Sequence, residues 1–141
     1  MLAAPTSLYV GMDSRSRRLR LAQLVALHPD LRVLGHAAVD HSCLRATIAR
    51  RPEVLVLAPA PDRAAAAGHL IAGVRRGSPE TLILALIDTE ERPVSLVAGE
   101  LSADRFLANT ASLDEVLRAV LDLARARRAS DAAGRRGRPG A

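Results

Sequence analysis

Short apolar runs alternate with segments of helical periodicity along most of the chain. Leu8–Met12 (LYVGM) is the first apolar run. Ser14 or Ser16 then stands where a helix N-cap belongs. Leu21, Leu24 and Val25 recur at helical spacing as far as His28-Pro29, where proline stops the helix. Leu31–Ala38 follows as a second strand, and His41–Arg50 as a second helix with Leu44 and Ile48 on one face. Glu53–Leu57 is a third strand, and its unbroken Val54–Leu57 run is the pattern of a strand buried on both sides. A third helix is predicted from about Asp62 to Arg76, and a fourth strand over Thr81–Ile87 (TLILALI), the most apolar stretch of all. A short helix around Pro93–Glu100 tolerates its proline only in the first turn. A short strand over Arg105–Ala108 comes next. The capping box Ser112-Leu-Asp-Glu115 then opens a last helix that closes near Arg128.

Strands and helices in strict alternation predict βαβ units and a parallel sheet. The expected fold is a single α/β domain: a flavodoxin-like, doubly wound, five-stranded parallel sheet. Residues 1–7 form an N-terminal extension in this division and residues 8–128 the domain. Residues 129–141 (ASDAAGRRGRPGA) lack apolar periodicity and are expected to be disordered.

Composition sharpens this picture in three places. Hydrophobic residues make up 49% of the 141, with one Tyr, one Phe and no Trp, so the core must be aliphatic. A single Cys excludes an internal disulfide and fits a reducing compartment. The amino terminus has no basic region before an apolar run, and no apolar run approaches the ~20 residues that span a bilayer. A cytoplasmic protein without membrane contact is therefore expected. All 20 basic residues are arginine. Residues 125–141 hold six of them against one aspartate, so the net charge of +5 belongs to the tail and the rest of the chain is balanced.

LYVGMD, LHPDLRVLGHAA, RPEVLVL, PETLILALID and ADRFLANTASLDEVLRAV occur in that order over about residues 8–125. Together they resemble the receiver domain of bacterial two-component response regulators (CheY-like), most of all the NarL/LuxR type. The resemblance implies a phosphoacceptor aspartate at the end of the third strand, an acidic pair ending the first, a hydroxyl ending the fourth and a lysine ending the fifth. Those positions fall on Ala58, on Met12 and Asp13, on Ile87 and on Asn109. Phosphoryl transfer needs an oxygen nucleophile, a divalent cation and a positive charge against the phosphoryl oxygens. Ala58 supplies no nucleophile, and Asp13 alone is a poor Mg²⁺ ligand set. The expectation is a degenerate pocket of Met12, Asp13, Ala58, Ile87 and Asn109, with no phosphoacceptor, metal or cofactor.

Other candidate chemistry is thin. His36, His41 and Cys43 do not have the paired spacing of a zinc site. Asp40, Asp62 and Asp88 lie near strand ends and read as helix caps or solvated loop residues. No nucleophile is paired with a base, so no enzymatic activity is expected. The resemblance implies an interaction face built from Leu96, Leu101, Arg105, Phe106, Arg118 and Asp122, with Phe106 more simply a core residue. The expected function is a phosphorylation-independent regulatory module that acts on a protein partner or on a second copy of itself. One alternative is nucleic-acid contact through Arg125, Arg127, Arg128, Arg135, Arg136 and Arg138, which lack interleaved aromatics. Another is a small-molecule sensor using the vacated pocket.

Overall fold

A computed structural model of the chain describes residues 4–88 and 103–137. Five strands, β1 (Thr6–Met12), β2 (Leu31–Ala37), β3 (Val54–Ala58), β4 (Leu82–Ile87) and β5 (Arg105–Ala108), form one sheet in the order β2-β1-β3-β4-β5. Every neighbouring pair is parallel. Four helices accompany it among the described residues: α1 (Arg15–Ala26), α2 (His41–Arg50), α3 (Ala64–Gly77) and α4 (Leu113–Gly137). A single 3-10 turn, Pro61–Arg63, leads into α3. This is the doubly wound architecture that the alternating pattern predicts.

Successive side chains on a strand point to opposite faces, so each strand feeds two cores. Leu8, Val10 and Met12 of β1 join Val54, Val56, Leu84 and Leu86 against α1 and α4. Their neighbours Leu55, Leu57, Ile83 and Ala85 face the α2–α3 side, packed with Cys43, Ile71 and Val74. Both clusters are aliphatic, with Tyr9 the one aromatic among the buried residues described. The chain leaves β1 for the edge strand β2 and then crosses back to β3 on the other side of β1. The crevice at a doubly wound sheet opens at the carboxyl ends of the strands where this reversal falls. Here those ends are Met12-Asp13 and Ala58.

The structure departs from the sequence expectation at both ends. β1 begins at Thr6, inside the expected extension, because the Thr6 amide donates to Asp30 O at 2.8 Å and extends the pairing with β2. The last helix does not stop near Arg128 but continues to Gly137, through most of the expected tail. Ala129, Ala132 and Ala133 are strong helix formers, and extending an existing helix avoids the cost of nucleation, so no apolar face is needed. The short helix expected around Pro93–Glu100, with Leu96 and Leu101, lies outside the described residues. So does Arg138.

Arg51 closes α2 in the left-handed region, at φ 48°. A Cβ is disfavoured there and glycine is not. Arg51→Gly is therefore expected to stabilise the fold by roughly 0.5–1 kcal/mol in urea unfolding, and a loss of stability would show that the arginine side chain holds something in place.

Candidate functional site

The carboxyl edge of the sheet holds an open cavity of about 450 Å³. Met12, Asp13, Ala58 and Asn109 line it together, with Ser14, Arg17 and the Pro59–Pro61 turn. Four of the five expected pocket positions thus meet. Ile87 does not join them. Strand alternation turns its side chain to the α2–α3 core, and only its carbonyl approaches the site, accepting from the Asn109 amide at 2.6 Å.

Asp13 is the one carboxylate among the described residues lining this cavity, and both of its oxygens are engaged. Oδ1 accepts from the Val39 amide at 3.0 Å and Oδ2 from the Ala60 amide at 2.8 Å. The guanidinium of Arg63 lies 3.5 Å from Oδ1. The Asp13 side chain is 11% exposed. Arg63 also donates to Val39 O at 2.7 Å, so one residue of the turn before α3 ties the ends of β1 and β3 to the β2–α2 loop. A protein cation balances the remaining carboxylate from within the fold.

Two further arginines hold the neighbouring loops. Arg17 donates to Asn109 O at 2.8 Å, to Asn109 Oδ1 at 3.0 Å and to Ala111 O at 2.6 Å, clamping the β5–α4 turn to α1. Arg18 donates to Met12 O at 2.8 Å, while its Nε is buried without a partner among the described residues. The first turn of α1 has no acid, and Ser14 caps it by accepting from the Arg17 amide. Arginines at a helix amino end oppose the macrodipole. Charge-assisted hydrogen bonds to strand-end carbonyls, worth about 1.5–3 kcal/mol each, outweigh that opposition.

These arginines were not legible as site residues. The clustering of Arg15, Arg17, Arg18 and Arg20 at a predicted helix start was the available signal, since arginine there has no local reason. Arg63 carries no local signal at all, because its partners come from other loops.

Asp40 caps α2, accepting from the Cys43 amide. Arg105 and Asp122 form a solvated ion pair at 3.7 Å, Arg118 is exposed, and Phe106 packs half-buried against the α2–α3 core. Arg125 is exposed, and Arg135 and Arg136 lie in the last turn of α4. Arg127 and Arg128 turn back onto the domain: Arg127 donates to Glu80 O at 3.0 Å, and Arg128 pairs with Glu53 at 3.0 Å. Among the described residues no three His, Cys, Asp or Glu side chains gather as a metal site. No helix described is long and apolar enough to cross a membrane.

Cys43 lies fully buried behind β1. Burial pushes its thiol up to about 12. A raised thiol contributes stability that is complete below the unfolded value near 9.0 and is lost as pH climbs from there toward 12. Alkylation by iodoacetamide at pH 8 is expected to be undetectable in the native protein and complete in urea; labelling of the native protein would show that α2 opens locally.

No protein-family model matches the sequence, and neither does any curated protein. Solved structures do match. One is the signal receiver domain of the NarL response regulator from Mycobacterium tuberculosis, 24% identical over 87% of this chain and 98% of that one, with a TM-score of 0.70. A LuxR-family DNA-binding response regulator from Staphylococcus aureus matches at 18% identity over 84% and 98%, with a TM-score of 0.69. The receiver domain of an HD domain-containing protein from Pseudomonas fluorescens Pf-5 matches at 15% identity over 93% and 95%, with a TM-score of 0.71. The chain has the fold of response regulator receiver domains.

Proposed function

We propose that the chain is a signalling module of receiver fold that works without phosphorylation and without enzymatic activity, by presenting a fixed surface to a protein partner. The engagement of Asp13 carries this reading. Its two oxygens are taken by Val39, Ala60 and Arg63, so the carboxylate that would contribute to a Mg²⁺ site is already neutralised. Ala58 at the acceptor position and the clamp of Arg17 on Asn109 support the same conclusion. Three arginines, Arg17, Arg18 and Arg63, fasten the loops around the cavity to the rest of the fold. The engagement of Arg127 and Arg128 within the domain weighs against a tail devoted to nucleic acid.

Intact-mass spectrometry after incubation with acetyl phosphate and Mg²⁺ tests the proposal. The expected result is an unchanged mass; a stable gain of about 80 Da, one phosphoryl group, would overturn it.

A further inference from the structure

The solvent face of α1 is unlike the other surfaces described. The exposed large hydrophobics among the described residues are Leu19, at 40%, and Leu27, at 83%, and both belong to this helix or its C-cap. At 100° per residue they lie 40° to either side of Gln23, which points directly away from the core face of Leu21 and Val25. Arg15 and Arg20 flank the stripe at its amino end, and neither makes a hydrogen bond or ion pair with the described residues. Asp30 stands exposed just beyond its carboxyl end.

We propose that this stripe pairs with the same stripe of a second copy, α1 against α1 in antiparallel array about a two-fold axis through Gln23. The proposal rests on the interaction reading above and names its partner as this chain. Leu19 and Leu27 are related by that axis: each is four residues from Gln23, on opposite sides of it both along and around the helix. With the two helices crossed along their i, i+4 ridges, a two-fold rotation sets Leu19 of one copy on Leu27 of the other, and hides both pairs at once. The same rotation brings the arginine-bearing first turn of one copy to the carboxyl end of the other's α1. There the terminal carbonyls and Asp30 supply negative charge, and the two helix dipoles run antiparallel.

Magnitudes set the strength. One helix stripe belongs at the low end of interface sizes, where associations are transient. Helix α1 carries four arginines and no acid, so two copies meeting on this side repel at long range. Salt screens that repulsion beyond a Debye length of about 8 Å at physiological ionic strength, while the buried leucines are unaffected. A weak dimer that tightens between low and physiological salt is the expected behaviour.

Sedimentation velocity of the full chain from about 5 to 500 µM reads this directly, an interval chosen for affinities weaker than micromolar. The expected result is a concentration-dependent dimer. Leu27→Arg should weaken it at least tenfold, without loss of fold, because Leu27 is solvent-exposed in the monomer. Gln23→Cys should be coupled to its counterpart by a short bis-maleimide, while the buried Cys43 stays unmodified. A monomer throughout the range, with or without another bound protein, overturns the proposal. So does a dimer indifferent to Leu27→Arg whose Gln23→Cys form does not couple. Neither result touches the phosphorylation reading, which stands or falls on the mass measurement.

Discussion

Asp13→Ala is expected to destabilise the protein by about 3 kcal/mol, since the substitution strands two backbone amides and one guanidinium that share a mostly buried acceptor. The drop in melting temperature should be roughly 10 °C for a domain of this size. The sign of the effect is diagnostic. In a pocket where several carboxylates crowd together, removing one relieves repulsion and stabilises the fold. Here the carboxylate has no like-charged neighbour among the described residues lining the cavity and is instead the tie between β1, β3 and the β2–α2 loop. Thermal unfolding followed by circular dichroism decides the matter: a neutral or stabilised variant would mean that Asp13 serves a ligand rather than the fold. Asp13→Asn should recover part of the loss, as its amide oxygen still accepts one of the two backbone bonds.

Ala58→Asp returns an oxygen nucleophile to the end of β3, and no phosphorylation is expected to follow. The new carboxylate would stand beside an Asp13 already engaged by Val39, Ala60 and Arg63, next to the buried Met12, with Ile87 rather than a hydroxyl residue ending β4. Ala58 is 5% exposed, so an unpaired charge there should also cost about 2 kcal/mol or more. Intact mass after acetyl phosphate and Mg²⁺ should remain unchanged for Ala58→Asp, and for the double variant with Arg63→Ala. An adduct on the double variant alone would identify Arg63 as the barrier. An adduct on Ala58→Asp itself would show the pocket to be dormant, one substitution from activity, and would sink the claim that its surroundings are built for another purpose.

The strands were legible because their information is local. TLILALI and VLVL have one reading as elements buried on both faces, and the capping residues Ser14 and Ser112 punctuate the helices within a few positions. Met12, Asp13, Ala58 and Asn109 were legible as pocket residues because strand ends converge once the order of elements is known. What holds the pocket was not. Arg17 reaches a carbonyl 92 residues away and Arg63 one 24 residues away, and nothing in either neighbourhood points to those partners. The run of α4 past Arg128 was not legible because a missing apolar stripe says whether a helix packs, not whether it continues.

Helix α4 spans the molecule from one edge of the sheet to the other. Its amino end follows directly on the turn that Arg17 grips, and Arg127 and Arg128 fasten it to Glu80 and Glu53 at the far side. Between those fixings it packs through Val116, Leu117 and Val120 along its length. A rod attached at one end can swing; a rod attached at both is a strut. Mechanically, the stretch of α4 up to Arg128 is braced against the sheet at both ends, so a load on it is shared between those ends rather than focused on a single loop.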